Sequence, residues 1–78
     1  MELRSGHVMV THLRDWREKR LLMRKELAVK SKVAVSTIAK IELGTTTGVR
    51  LSTVALLAKA LGITREQLID GPKEGVGA

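Results

Sequence analysis

The chain has no cysteine, so neither a disulfide nor a thiolate metal site can support its fold. It has no phenylalanine and no tyrosine, and Trp16 is its only aromatic residue. Single strands and RNA loops are generally held by stacking bases on several rings, so this composition argues against that mode of binding. Apolar runs extend for only a few residues, far below the ~20 needed to span a bilayer. The opening MELRSGHVMV has neither the apolar stretch nor the cleavage pattern of a signal peptide. A cytoplasmic chain with no membrane role is therefore expected. His7 and His12 stand five residues apart, with Glu2 and Asp15 as the nearest acids. That is not a metal-ligand spacing, and both read as surface histidines. No Ser/His/Asp arrangement and no glycine loop ahead of a helix is discernible. No catalysis, metal or cofactor is expected.

What is present is positive charge, and it is confined. The 78 residues predict one domain with net charge +6. Such a domain buries only ~60% of its unfolded surface, so its core is small. Residues 12–50 hold ten basic residues (Arg14, Arg17, Lys19, Arg20, Arg24, Lys25, Lys30, Lys32, Lys40, Arg50) against four acidic ones (Asp15, Glu18, Glu26, Glu42). Residues 1–11 and 51–78 are each neutral, so the entire excess lies in the middle segment, as a phosphate-facing surface requires. A solvated face kept for solubility is the bland alternative.

The apolar pattern is helical, with no strand pattern and no repeat. Residues 1–10 show no period and read as a flexible arm, in which Met9 is a possible alternative start. A first helix is expected over 11–20, with Leu13 and Trp16 inward and Thr11 as its N-cap. A second over 24–31 buries Leu27 and Ala28, and Lys32–Val33–Ala34 form the turn. A third over 35–43 turns Ile38 and Ile41 inward and ends at Gly44 in the left-handed conformation. A threonine-rich loop covers 45–50. A fourth helix over 51–61 carries an apolar stripe of Leu51, Val54, Leu57, Ala58 and Leu61, and Gly62 stops it. A fifth begins with a capping box, Thr64 with Gln67, and a hydrophobic staple, Ile63 with Leu68. Residues 11–70 thus form the domain, and the tail over 71–78 is expected to be disordered.

The stretch Arg24 to Gly44, RKELAVKSKVAVSTIAKIELG, joins these signals. Two short helices that cross steeply need a small side chain at the crossing, supplied by Ala28, and an apolar residue facing back, supplied by Ile38. This is the construction of a helix-turn-helix, whose second helix enters the DNA major groove.

From Leu13 to Ile69 the chain resembles the DNA-binding domain of the XRE/Cro-type, lambda-repressor-like regulators. The matching text is LRDWREKR, Leu27–Ala28, STIAKIELG at 36–44 and LLAKALGIT at 56–64. The resemblance implies an all-α, compact five-helix fold with the helix-turn-helix at helices 2 and 3. It also implies bases read from Val35, Ser36 and Lys40, with Thr37 beside them. Phosphate contacts are implied at Arg24, with Lys25 beside it, and at Thr45, Thr46 and Thr47.

The residues agree with several of these roles. Ser36 and Thr37 are short donors near a helix N-terminus, and Lys40 lies one turn beyond Ser36 on the same face. Ser36 is alternatively a plain N-cap. Val35 suits a thymine methyl, or else packs half-buried against the second helix. Three departures stand out. Met23 holds a position where Ser or Thr often caps the second helix, Lys32 holds the turn position usually given to Gly, and Arg50 stands where Pro or Ser is common. Arg24 and Lys25 beside the uncapped Met23 oppose the helix dipole, which a docked phosphate would relieve.

The function implied is sequence-specific duplex DNA binding in transcription regulation, most simply repression. A homodimer would pair through Leu68, Ile69 and their neighbours. The alternative is an antitoxin- or antirepressor-like protein whose main task is to hold a protein partner. If about six phosphates were neutralised per domain, log K would fall with log salt at a slope near −5.

Overall fold

The computed structural model describes residues 6–46 and 48–71. Along the chain run β1 (His7–Val8), α1 (Leu13–Lys19), α2 (Arg24–Ser31), α3 (Val35–Leu43), β2 (Val49–Arg50), α4 (Leu51–Leu61) and α5 (Arg65–Asp70). The five helices enclose one core, in which Leu13, Leu27, Ile38, Val54, Leu57 and Leu68 have essentially no exposed surface. The chain beyond Gly71, where a disordered tail is expected, lies outside the described residues, as do residues 1–5.

The bounds of α2, α3 and α4 match those read from the pattern, and each ends on a left-handed residue: Lys32, Gly44 and Gly62. Lys32 adopts φ 63° and ψ 25°, and its N–H bonds the Ala28 carbonyl at 2.8 Å. A lysine there costs about 1 kcal/mol relative to glycine. Ser31 completes the turn from within the core. Its hydroxyl donates to the Leu27 carbonyl at 2.7 Å and accepts from the Val33 N–H at 3.2 Å. The capping box of α5 forms in both directions, Gln67 N–H to the Thr64 hydroxyl at 3.1 Å and Thr64 N–H to the Gln67 side chain at 2.9 Å.

Trp16 is a core residue, and its indole N–H donates to the Gln67 carbonyl at 2.9 Å, tying α1 to α5. Lys19 and Arg20 place their cations over its ring at 5.3 and 5.6 Å. Arg20 also donates to the Leu61 carbonyl at 2.8 Å, meeting one of the carbonyls left open at the end of α4.

Four expectations are corrected. The first ten residues do not all form a free arm, and the chain is not free of strands. β1 pairs antiparallel with β2, matching His7 to Arg50 and Val8 to Val49. Val49 and Val10 are buried in the core, and Val8 packs against it. This burial fixes the segment, since two-residue strands have no independent stability. Thr11 is not the cap of α1: the helix begins one residue later than a Thr11 cap requires, with His12 at the N-cap and no side-chain cap bond. Leu51 opens α4 at its rim and stays 39% exposed, so it is not part of the buried stripe.

Candidate nucleic-acid interface

The turn at Lys32 brings α3 back against α2, and Leu27, Ile38 and Ile41 are buried in the core they share. Outward on α3 are its N-terminal face, Lys40 and, at its C-terminal end, Leu43 at 68% exposed. Val35 is 43% exposed, Ser36 and Lys40 are exposed, and Thr37 is half-buried. Ala34 occupies the N-cap and no side chain caps the helix. Ser36 therefore does not serve as the N-cap; it lies inside the first turn. The uncapped amide groups of that turn and the two hydroxyls form a surface of donors, with Lys40 one turn beyond. Val35 presents its methyl groups to solvent in the same patch.

The start of α2 meets the C-terminal end of α3, where Arg24 reaches Glu42. Glu26 turns back so that its carboxylate accepts the Met23 N–H at 2.7 Å. The helix start is thus partly satisfied within the protein, despite having no capping side chain at Met23. Lys25 is exposed, while Arg24 donates its Nε to Glu42 at 3.0 Å and is 38% exposed along its side chain. Arg24 is therefore held in place, and its charge is already offset within the protein before any phosphate docks.

Glu42 is the residue that the sequence did not single out. Its side chain is 1% exposed and lies at the junction of α1, α2 and α3. It accepts from Arg17 at 2.6 and 3.0 Å as well as from Arg24. Burial alone would push its carboxyl up. The hydrogen bonds and charges of Arg17 and Arg24 outweigh burial and hold it below the usual carboxylate range. The same hydrogen bond to Glu42 raises Arg17, against the opposing effect of burial. Arg17 also donates to the Leu22 carbonyl at 2.8 Å, fixing the link between α1 and α2. The available clue was a carboxylate within a basic stretch, 25 residues from its main partner.

The loop after α3 is less open than its threonines imply. The Thr45 hydroxyl donates to the Lys40 carbonyl at 3.3 Å, and the Thr46 hydroxyl to the Gly48 carbonyl at 3.0 Å. Thr47 lies outside the described residues. At the far end of the molecule Leu68 is fully buried and Ile69 half-buried. Leu68 cannot form part of a surface between two folded copies, because the bundle already closes over it. Among the described residues there is no cluster of metal-ligating side chains, and no helix is long and apolar enough to cross a membrane.

A protein-family model described as helix-turn-helix matches residues 13–68, well over half of the chain. No curated protein and no solved structure matches it.

Proposed function

The chain belongs to the XRE/lambda-repressor-like helix-turn-helix family of DNA-binding transcription regulators, and we propose that this protein is a repressor that reads duplex operator DNA through α3, as a homodimer. The observation that carries this reading is the exposed, uncapped N-terminal face of α3, with Val35, Ser36 and Lys40 turned outward. Lys40 meets guanine O6 and N7, and Val35 meets a thymine methyl. Ser36 and Thr37 supply short donors to base edges or phosphate. Arg24 and Lys25 engage the backbone, which fixes register without reading sequence.

One short helix reads too few bases to find a unique site. Two copies on half-sites one helical turn apart, about 34 Å, supply the remainder. Of the pair expected at the dimer surface, Ile69 remains with its half-buried side chain, and Leu68 supports it from inside. Occupying a promoter with a small dimer blocks access to it, which is the simplest form of repression.

The competing reading, a protein whose main task is to hold a partner, draws on exposed apolar side chains away from this face, Leu21 at 89% and Val29 at 80%. The two readings part in a titration of the chain against duplex from the DNA upstream of its own gene and against a scrambled duplex. Tight, salt-sensitive binding to the first, with preference lost in Val35→Ala, Ser36→Ala and Lys40→Ala, supports the operator reader. Equal weak binding to both duplexes refutes it in favour of the partner.

The salt slope is smaller than charge counting implies. Arg17 and Arg20 are tied into the fold and Arg14 is paired with Glu18. Arg24, Lys25 and Lys40 alone give a slope of about −2.7 per domain, at ~0.9 per phosphate.

A further inference from the structure

A second opening lies between the C-terminal ends of α2 and α4. It is a cleft of about 420 Å³, lined by Lys30, Ser31, Lys32, Leu56, Lys59 and Ala60. None of these residues is acidic, and none belongs to α3. The three lysines are exposed, and among the described residues no side chain of theirs has a hydrogen bond or an ion pair. The Ser31 hydroxyl is already committed to the Leu27 carbonyl and the Val33 N–H. The apolar lining is Leu56, 45% exposed, and the half-buried Ala60. Val29, 80% exposed, precedes Lys32 by three residues and so lies on the same side of α2. Cations and solvent-exposed apolar groups thus share one opening.

We propose that this cleft docks an acidic segment of a protein partner, with carboxylates on Lys30, Lys32 and Lys59 and an apolar side chain on Leu56 and Ala60. Three observations carry it. The first is charge: three cations around one opening repel each other, and nothing on its walls offsets them. The second is Lys32 itself. Lys30 and Lys59 suit the negative ends of their own helices. Lys32 instead holds a left-handed conformation, φ 63°, that glycine adopts more readily. A strained residue whose side chain lines a cleft points to a role for that side chain. The third is the exposed Leu56 and Val29 beside the lysines. They match an amphipathic segment, whose apolar residues anchor it and whose charges orient it. A nucleic acid backbone fits less well. Phosphate is best gripped by guanidinium forks, and this lining has no arginine and no uncommitted hydroxyl. The cleft shares no residue with α3, so one chain holds DNA on α3 and a protein on α2 and α4.

The docking site goes beyond the operator reading and does not depend on it. The probe is a fluorescein-labelled peptide of glutamates with leucines at helical spacing, set against an analogue with lysine in place of every glutamate. Anisotropy titrations at low salt, where exposed charges are least screened, use the full chain, Lys32→Gly, Lys59→Ala and the double variant. Lys32→Gly is the informative one. Glycine relieves the backbone there, so the variant melts no lower than wild type and lost binding is not lost folding. Each single variant is expected to weaken the acidic peptide by about 2–5-fold and the double variant by about 4–25-fold. The lysine analogue does not bind, and Lys40→Ala changes nothing. In amide spectra of the isotope-labelled chain, the acidic peptide moves Lys30, Lys32, Leu56 and Ala60 and leaves Val35 and Ser36 in place. The docking site is overturned if the acidic peptide does not bind, if it binds wild type and the double variant equally, or if the shifts fall on α3. Displacement of the peptide by scrambled duplex, with a flatter DNA salt slope in the double variant, assigns the lysines to phosphate and overturns it too. A chain that binds the peptide at the cleft but shows no duplex preference refutes the operator reader and leaves the docking site standing.

Discussion

Replacing Glu42 with glutamine tests what holds the helix-turn-helix together. The carboxylate is 1% exposed and accepts three hydrogen bonds, two from Arg17 and one from Arg24. The substitution keeps the shape but removes the charge facing Arg17, whose side chain is only 12% exposed. Leaving one member of a buried pair uncompensated typically costs about 3–5 kcal/mol. A domain of 78 residues has about 4–12 kcal/mol in total, so the loss takes a large share. In urea, with a slope of about 1 kcal/mol per molar, the midpoint falls by roughly 3 M or the variant unfolds outright. The double variant Arg17→Met with Glu42→Leu recovers most of the loss, because no lone charge remains. Acid offers a second reading of the same group. Its folded pKa lies below its unfolded value of about 4.3. The pair's contribution is therefore complete above that value and is lost as pH falls through the lower, folded one. Wild-type stability declines on acidification, and Glu42→Gln shows a flatter acid limb. A midpoint within 0.5 M of wild type, on the urea scale just used, would show that the cluster is a surface contact of little weight.

Lys32→Gly relieves a left-handed lysine and is expected to add about 1 kcal/mol, raising Tm by about 4–8 °C, with DNA affinity unchanged. Scanning calorimetry reads it, and an unchanged or lower Tm would mean that Lys32 is not strained. Thr64→Ala removes the side-chain half of the α5 capping box and is expected to lose about 1 kcal/mol in chemical denaturation; no loss would mean α5 is held by Leu68 packing alone. Leu68→Ala opens a cavity in the core and loses about 2–5 kcal/mol, whereas Ile69→Asp is expected to keep the fold and weaken operator binding. Sedimentation of the two variants separates them, and a folded but monomeric Leu68→Ala would restore Leu68 to the interface.

The helices that build the reading face were legible because each carries both a period and a stop. Ala28 and Ile38 mark the crossing, Gly44 and Gly62 end α3 and α4, and Thr64 with Gln67 opens α5. β1 and β2 were not legible, because a two-residue strand has no alternation to detect and exists only where Val10 and Val49 are drawn into the core. Leu51 and Leu68 show a second limit. Apolar periodicity identifies a face, but it cannot say whether the bundle, solvent or another copy covers it. Leu51 falls at the rim and Leu68 falls fully inside. Glu42 shows a third, since the partner that buries it is distant in the chain and no local signal joins them.

The basic residues of the middle segment divide by what surrounds them, and this division links stability to recognition. Arg17 is drawn inward by Glu42, and Arg20 by the Leu61 carbonyl and the Trp16 ring. These charges hold α1, α3 and α4 at fixed angles and are not available to an external phosphate. Arg24 stands between the two groups, with its Nε on Glu42 and its side chain part-exposed beside α3. A single buried carboxylate thereby fixes the helix that reads and one of the cations that grips. The consequence is directional. Losing Glu42 should weaken DNA binding even in conditions where the chain stays folded, because Arg24 is then free to sample other rotamers before it meets a phosphate. Losing Arg24 should weaken binding with little effect on the Arg17–Glu42 pair. Net charge alone would predict the opposite sign for the loss of Glu42, since removing an acid makes the chain more positive.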